Sequence, residues 1–268
     1  MTTNPTTARP LAVVTGASSG IGLALATVFT ENGFDVLVTA DDDGVHTVAA
    51  ELGRDGTAAR AVQADLTTPD GIQTLVDAVH HEGRPVDALA LNAGVGQGGP
   101  FVETPLEGDL EVIALDVVAP VRLAKALVPA MVGRGSGRVL FTASTASLMP
   151  GPYYATYAAS KSFVLSFSEA LRYELKDTGV SVTALLPGPT DTAFFERADM
   201  TDTRVGRGPK DDPVKVATEA FDALMAGKDK IEVHSMKVRS QTAAAAVLPD
   251  RAKAAMHAAF TKPSGTED

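Results

Sequence analysis

The stretch YAASK sets Tyr157 four residues ahead of Lys161. On a helix that spacing lays both side chains on one face, so both can enter one cleft. An unperturbed tyrosine titrates near pH ~10 and is a poor base at neutrality. A neighbouring ammonium favours the phenolate and draws its pKa towards the range that acid–base catalysis requires. Taken alone, such a pair is more often a surface contact than a catalytic one. A second cluster changes the weighing: TGASSGIG (15–22) directly follows an apolar run and opens a helical one. Gly16, Gly20 and Gly22, with Ser18, Ser19 and Ile21 between them, let the backbone turn tightly and approach a pyrophosphate. The pyrophosphate charge then rests on the helix N-terminus.

Asp41 stands nineteen residues beyond Gly22, just after the next apolar run. An acid there accepts hydrogen bonds from the adenosine ribose and repels a 2′-phosphate. Neither 15–22 nor 36–43 holds an Arg or Lys to receive an extra phosphate. NAD is therefore expected ahead of NADP. The run DDD (41–43) also reads as a solvated turn, and its register is open by one residue.

These residues need a frame that brings strand exits together. Short β-branched runs lie at 11–15, 34–40, 60–64, 87–92, 138–143, 180–186 and 231–235, with helical periodicity at 23–32, 71–82 and 162–177. Apolar strands separated by helices imply parallel crossovers covered on both faces. The expected fold is α/β: a Rossmann-type, doubly wound, mostly parallel sheet of about seven strands. A single domain is expected over 10–260, after a short leader (1–9) and before a polar tail (261–268). The low-periodicity stretch 190–213 is long enough to serve as a substrate lid.

Composition narrows the function. Of 268 residues, 45% are apolar and 21% charged, as in ordinary globular chains. A formal charge of −10 argues against nucleic-acid and anionic-membrane surfaces, which need clustered cations. Small molecules are the expected partners. With no cysteine there is neither disulfide nor thiolate chemistry, which fits the cytoplasm. No metal is expected: the pair His80-His81 lacks ligand spacing and suits a solvated helix end. Gly135-Ser136-Gly137 lacks the spacing of a nucleophile elbow, which removes a serine hydrolase.

Read in order, TGASSGIG, LNAG (91–94), Ser144, YAASK and PGPTDT (187–192) resemble the short-chain dehydrogenases/reductases, in their compact single-domain branch. The likeness runs from about residue 10 to 235. It implies that Tyr157 exchanges a proton at the substrate oxygen, Ser144 hydrogen-bonds that oxygen, and Lys161 tunes Tyr157 and holds the nicotinamide ribose. It also implies that Asp65 and Leu66 meet the adenine, while Asn92, Ala93 and Gly94 run along the adenosine side. Pro187 and Gly188 would turn beside the nicotinamide, with Thr190 and Thr192 towards its carboxamide or the phosphates. A homo-oligomer, dimer or tetramer, is implied through the helices after the fourth and fifth strands. One position departs: Asp116 stands where the family usually carries an asparagine that completes a proton relay. An ionised Asp116 would stabilise the Lys161 ammonium and raise the effective pKa of Tyr157.

Val95, Met149, Tyr153, Tyr154, Phe194 and Phe195, with Met200, would form an apolar pocket suited to a nonpolar ketone or secondary alcohol. The expected reaction is hydride transfer between NAD(H) and that carbon. Three other readings stay open: a nucleotide sensor without turnover, an NADP(H)-dependent reductase of the same family, and a lyase or epimerase using the same tyrosine.

Overall fold

The computed structural model describes residues 9–54, 56–233 and 249–264. Among these, seven strands form one sheet: β1 (Leu11–Thr15), β2 (Asp35–Ala40), β3 (Ala59–Gln63), β4 (Ala88–Leu91), β5 (Gly137–Thr142), β6 (Val180–Pro187) and β7 (Lys230–Val233). All pairings are parallel, in the order β3-β2-β1-β4-β5-β6-β7. The chain winds outwards through β2 and β3, then returns to the other side of β1. A crevice opens at that reversal, beyond the carboxyl ends of β1 and β4.

Helices cover both faces. One layer holds α1 (Gly20–Glu31), α2 (Gly44–Leu52) and α9 (Pro213–Met225); the other holds α3 (Pro69–His81), α5 (Ala119–Arg134) and α6 (Ala155–Leu175). β1, β2 and β4 are buried at every position, as strands covered on both sides must be. Alternate residues serve opposite layers. Leu11 and Val13 pack with Leu75 of α3 and Leu127 of α5, whereas Ala12 and Val14 pack with Phe29 of α1 and Val216 of α9. Phe29, Phe34 and Phe221 meet edge-on with centroids 5.2, 5.3 and 6.1 Å apart, tying α1 to α9. Each such pair adds about 0.5–1.5 kcal/mol beyond area burial.

The remaining elements shape the site. α4 (Leu106–Ile113) runs into a wide π turn, Ala114–Val118, before α5. Segment 190–213 is no bare loop: it contains α7 (Phe194–Arg197) and α8 (Arg204–Arg207), anchored by buried Phe195 and Met200. The helix expected from 162 begins at Ala155, because Ala155, Ala158 and Ala159 sustain it, and so takes in Tyr157 and Lys161. β7 ends at Val233; residues 234 and 235 of the expected strand lie outside the described residues. Arg9 already donates to the Gly33 carbonyl at 3.2 Å. The helix α10 (Asp250–Thr261) ends on a buried Thr261, so the supposed tail starts inside packed structure.

Candidate active site

The cofactor side is built from backbone. The Thr15 hydroxyl, at the end of β1, accepts from the Asn92 and Ala93 N–H groups, each at 2.9 Å. Asn92 Nδ2 donates to the Thr15 carbonyl at 3.1 Å, and Thr142 Oγ1 donates to Asn92 Oδ1 at 3.1 Å. The exits of β1, β4 and β5 are thereby pinned together. Gly16 (φ +66°) and Gly20 (φ +58°) occupy left-handed backbone that other residues enter at a cost. A Cβ on Gly22 would overlap the Gly16 carbonyl. α1 then starts at Ser19, which makes no side-chain cap bond, and its first turn contains no acid. Such an end carries roughly +0.5 charge and takes an anion readily. Tight glycine turns and an uncompensated helix start fit a dinucleotide pyrophosphate.

Two neighbouring acids divide their work. Asp42 is occupied, accepting from Ser18 Oγ at 2.6 Å and from the Gly44 N–H at 2.9 Å. Asp41 has only its carbonyl engaged, by Gln63 Nε2 at 2.9 Å, and its carboxylate stays open among the described residues. The run DDD alone does not separate the two acids; the Ser18 and Gly44 contacts of Asp42 do. Asp65 accepts twice from Thr67, at 2.9 Å from N–H and 2.6 Å from Oγ1, which shapes the turn into α3.

Ser144 caps the 3₁₀ turn Thr145–Leu148 just after β5, and α6 presents Tyr157 and Lys161 one turn apart. The Lys161 ammonium lies 5.6 Å from the Tyr157 ring centroid and donates to the Thr142 carbonyl at 3.3 Å. Behind it, Asp116 Oδ2 is 3.2 Å from Lys161 Nζ. Asp116 also accepts from the Val95 N–H at 2.9 Å and from Ser160 Oγ at 3.2 Å. The π turn swings this carboxylate into the interior, where it is 1% exposed.

One cavity of about 1840 Å³ joins the two sides, larger than the ~300–1,000 Å³ of a single small-ligand site and so roomy enough for cofactor plus substrate. Its wall includes every cofactor position expected from sequence, the Ser144, Tyr157 and Lys161 side chains, and Val95, Met149, Tyr154, Phe194, Phe195 and Met200. Asp116 does not line it and acts from behind Lys161. Tyr153 is a correction: it does not line the cavity. Its backbone is left-handed (φ +64°), and its carbonyl accepts from the Gly99 N–H at 2.8 Å.

Sequence reasoning missed α10. His257 Nδ1 lies 2.9 Å from the Pro150 carbonyl and Nε2 lies 2.7 Å from the Tyr154 hydroxyl, while Thr261 Oγ1 donates to the Pro152 carbonyl at 2.8 Å. Met256, His257, Phe260 and Thr261 all face the cavity. Nothing in the local sequence signals a partnership across 103 residues.

A family model described as short chain dehydrogenase matches residues 10–202. This chain belongs to that family. The 1-deoxy-11-beta-hydroxypentalenate dehydrogenase of Streptomyces exfoliatus is 41% identical over 189 residues, 69% of either chain. A short-chain dehydrogenase from Sphingobium yanoikuyae in complex with NADPH superposes with a TM-score of 0.78 at 31% identity, covering 88% of this chain and 93% of that one. One from Burkholderia phymatum in complex with NAD gives 0.82 at 25% identity, covering 88% and 92%. Relatives thus bind either nicotinamide dinucleotide.

In this short-chain dehydrogenase the buried trio is strongly coupled. Burial pushes the Tyr157 phenol above its ordinary value and Asp116 adds to the rise, while Lys161 and a hydrogen bond from Ser144 pull it back. Burial acts to lower the Lys161 ammonium, yet Asp116 and Tyr157 together hold it above normal. The Asp116 carboxyl is itself raised by burial, against the pull of Lys161. The dehydrogenase therefore keeps its lysine charged and its tyrosine reluctant to ionise.

Proposed function

We propose that this short-chain dehydrogenase transfers a hydride between NAD(H) and a carbonyl or secondary-alcohol carbon of an apolar small molecule. The observation that carries the reading is the convergence of Ser144, Tyr157 and Lys161 on the cavity that also contains the glycine loop. Bound nicotinamide supplies or accepts the hydride. Tyr157 gives or takes the proton at the substrate oxygen, and Ser144 holds that oxygen by a hydrogen bond. Lys161 favours the phenolate and grips the nicotinamide ribose, with Asp116 anchoring the ammonium from behind. Asn92, Ala93, Gly94, Asp65 and Leu66 border the adenosine, and Pro187, Gly188, Thr190 and Thr192 border the nicotinamide.

The open Asp41 carboxylate supports NAD over NADP, because it can accept from a free ribose and would repel a 2′-phosphate. Apolar side chains of Val95, Met149, Phe194 and Phe195 support a nonpolar substrate. The Streptomyces exfoliatus relative, named as a dehydrogenase of a hydroxylated compound, supports the alcohol/carbonyl class. Leu106 and Leu110 of α4 and Phe163 of α6 are 62%, 52% and 41% exposed, which supports pairing of copies through this apolar face. The cysteine-free composition supports a cytoplasmic setting.

Ketone-dependent loss of NADH absorbance tests the reaction. Tyr157→Phe should lower kcat about 10²–10⁴-fold while NADH still titrates calorimetrically with wild-type affinity. Turnover retained in that variant would contradict the assignment, and NADPH bound more tightly than NADH would reverse the choice of cofactor.

A further inference from the structure

The lid carries four cations, of which one, among the described residues, bonds to the glycine loop. Lys210 donates to the Gly206 carbonyl at 2.6 Å and lies over the Phe195 ring, while Arg207 bonds Ser264. Arg204 sits in α8 on the cavity wall. Arg197, the last residue of α7, differs: its Nη2 donates to Ser19 Oγ at 3.3 Å across 178 residues of sequence. No carboxylate pairs with Arg197 among the described residues. Ser19 is the residue from which α1 starts, without cap or first-turn acid. A guanidinium is thus set beside the positive end of a helix, an arrangement that is unfavourable unless an anion lies between them.

A second contact fixes the geometry. Thr192, at the base of the lid, packs so closely on Gly20 that a Cβ there would lie 2.8 Å from its methyl. The lid therefore already touches the glycine loop at two adjacent residues. The same cleft is lined by Asp41, Asp42 and Asp65, which oppose entry of an anion. Lys161, buried on the same wall, is tied to Asp116.

We infer that Arg197 is a phosphate clamp: from the lid, which already rests on the glycine loop, it grips the diphosphate of the bound dinucleotide and so holds the lid in that position. This rests on the dinucleotide reading above and adds to it a residue supplied from outside the nucleotide-binding βαβ unit. Guanidinium is suited to the task because its planar fork matches two phosphate oxygens at once. A grip on Arg197 would steady this part of the lid, because the Arg197, Ala198 and Met200 N–H groups donate to the Ala193, Phe194 and Phe195 carbonyls in one turn.

The test uses ADP-ribose and adenosine as calorimetric probes on the full chain, with no turnover required. Arg197→Ala should weaken ADP-ribose about 10- to 100-fold, the worth of one charge-assisted hydrogen-bonded contact, and leave adenosine unchanged. Arg197→Lys should recover part of the loss, as a point charge does. ADP-ribose should also slow tryptic cleavage after Arg204 and Arg207 in the wild type, and fail to do so in Arg197→Ala. Equal ADP-ribose affinity in wild type and Arg197→Ala overturns the clamp, as does an equal loss for adenosine. A wild-type protein that binds neither ADP-ribose nor NADH overturns the dinucleotide reading itself.

Discussion

The two ends of the cavity are made from different materials. At the cofactor end, the shape comes from backbone, glycine torsions and strand exits, pinned by the Thr15, Asn92 and Thr142 side chains. At the substrate end it comes from bulky side chains meeting one another, such as Tyr154 with His257 and Tyr157 with Phe194. Backbone shape tolerates no added atoms where chains cross. Side-chain clamps can be loosened without unmaking the fold, and so they are where one scaffold can be fitted to different substrates.

The sharpest way to break that contrast is Gly22→Ala. The new Cβ would overlap the Gly16 carbonyl and press on Asn92 Nδ2, the group that ties β4 to β1. NADH affinity should fall by at least about tenfold, with about 1–3 kcal/mol lost from stability, as overpacking costs. Calorimetric titration and thermal melting read both. Wild-type binding in this variant would mean that the loop is not shaped by its backbone.

What sequence made legible follows the same division. The apolar runs and the glycine pattern were enough for the sheet, the crevice and the cofactor wall, because buried parallel strands and left-handed turns constrain residue type locally. The placing of Ser144, Tyr157 and Lys161 on one cavity was legible for a similar reason, since they stand at a strand exit and one helix turn apart. α10 was not readable: DRAKAAMHAAFT is an ordinary helix whose role depends on where it docks. Tyr153 was misplaced because an aromatic beside the site carries no sign of its left-handed backbone. Asp42 and Asp41 look identical in a DDD run, and only the Ser18 contact separates them.

Asp116→Asn probes the junction between the two ends. Burial and Asp116 both raise Tyr157, so removing the carboxylate should lower the phenol's pKa. In the proposed reaction, alcohol oxidation needs the phenolate and rises as pH passes through that pKa. Its rising limb should therefore move to lower pH in the variant, with NADH affinity little changed. Superimposable profiles would remove Asp116 from the electrostatics of the site. A limb displaced to higher pH would mean instead that its chief effect is to keep Lys161 charged, since Asp116 holds that ammonium above normal.

The smallest expected effect sharpens the substrate end. The Pro150 carbonyl can only accept, so His257 Nδ1 must carry the proton and Nε2 must accept from the Tyr154 hydroxyl. Tyr154 in turn stacks on Tyr157 with centroids 5.7 Å apart, so the neutral imidazole steadies the neighbour of the Tyr157 ring. His257→Phe keeps an aromatic ring but deletes both bonds. KM for a reduced ketone should rise about fivefold, the worth of roughly 1 kcal/mol of hydrogen bonding, while kcat and NADH affinity stay within about twofold of wild type. His257→Gln, which can still accept from Tyr154, should recover much of the loss. Burial lowers the His257 pKa below its ordinary value, against the Pro150 hydrogen bond. Protonation, which removes the acceptor, should then raise KM only as pH falls through that lowered pKa, and this acid limb should vanish in His257→Phe. An acid limb that persists there would assign it to another group and leave the Tyr154 clamp without a titrating partner.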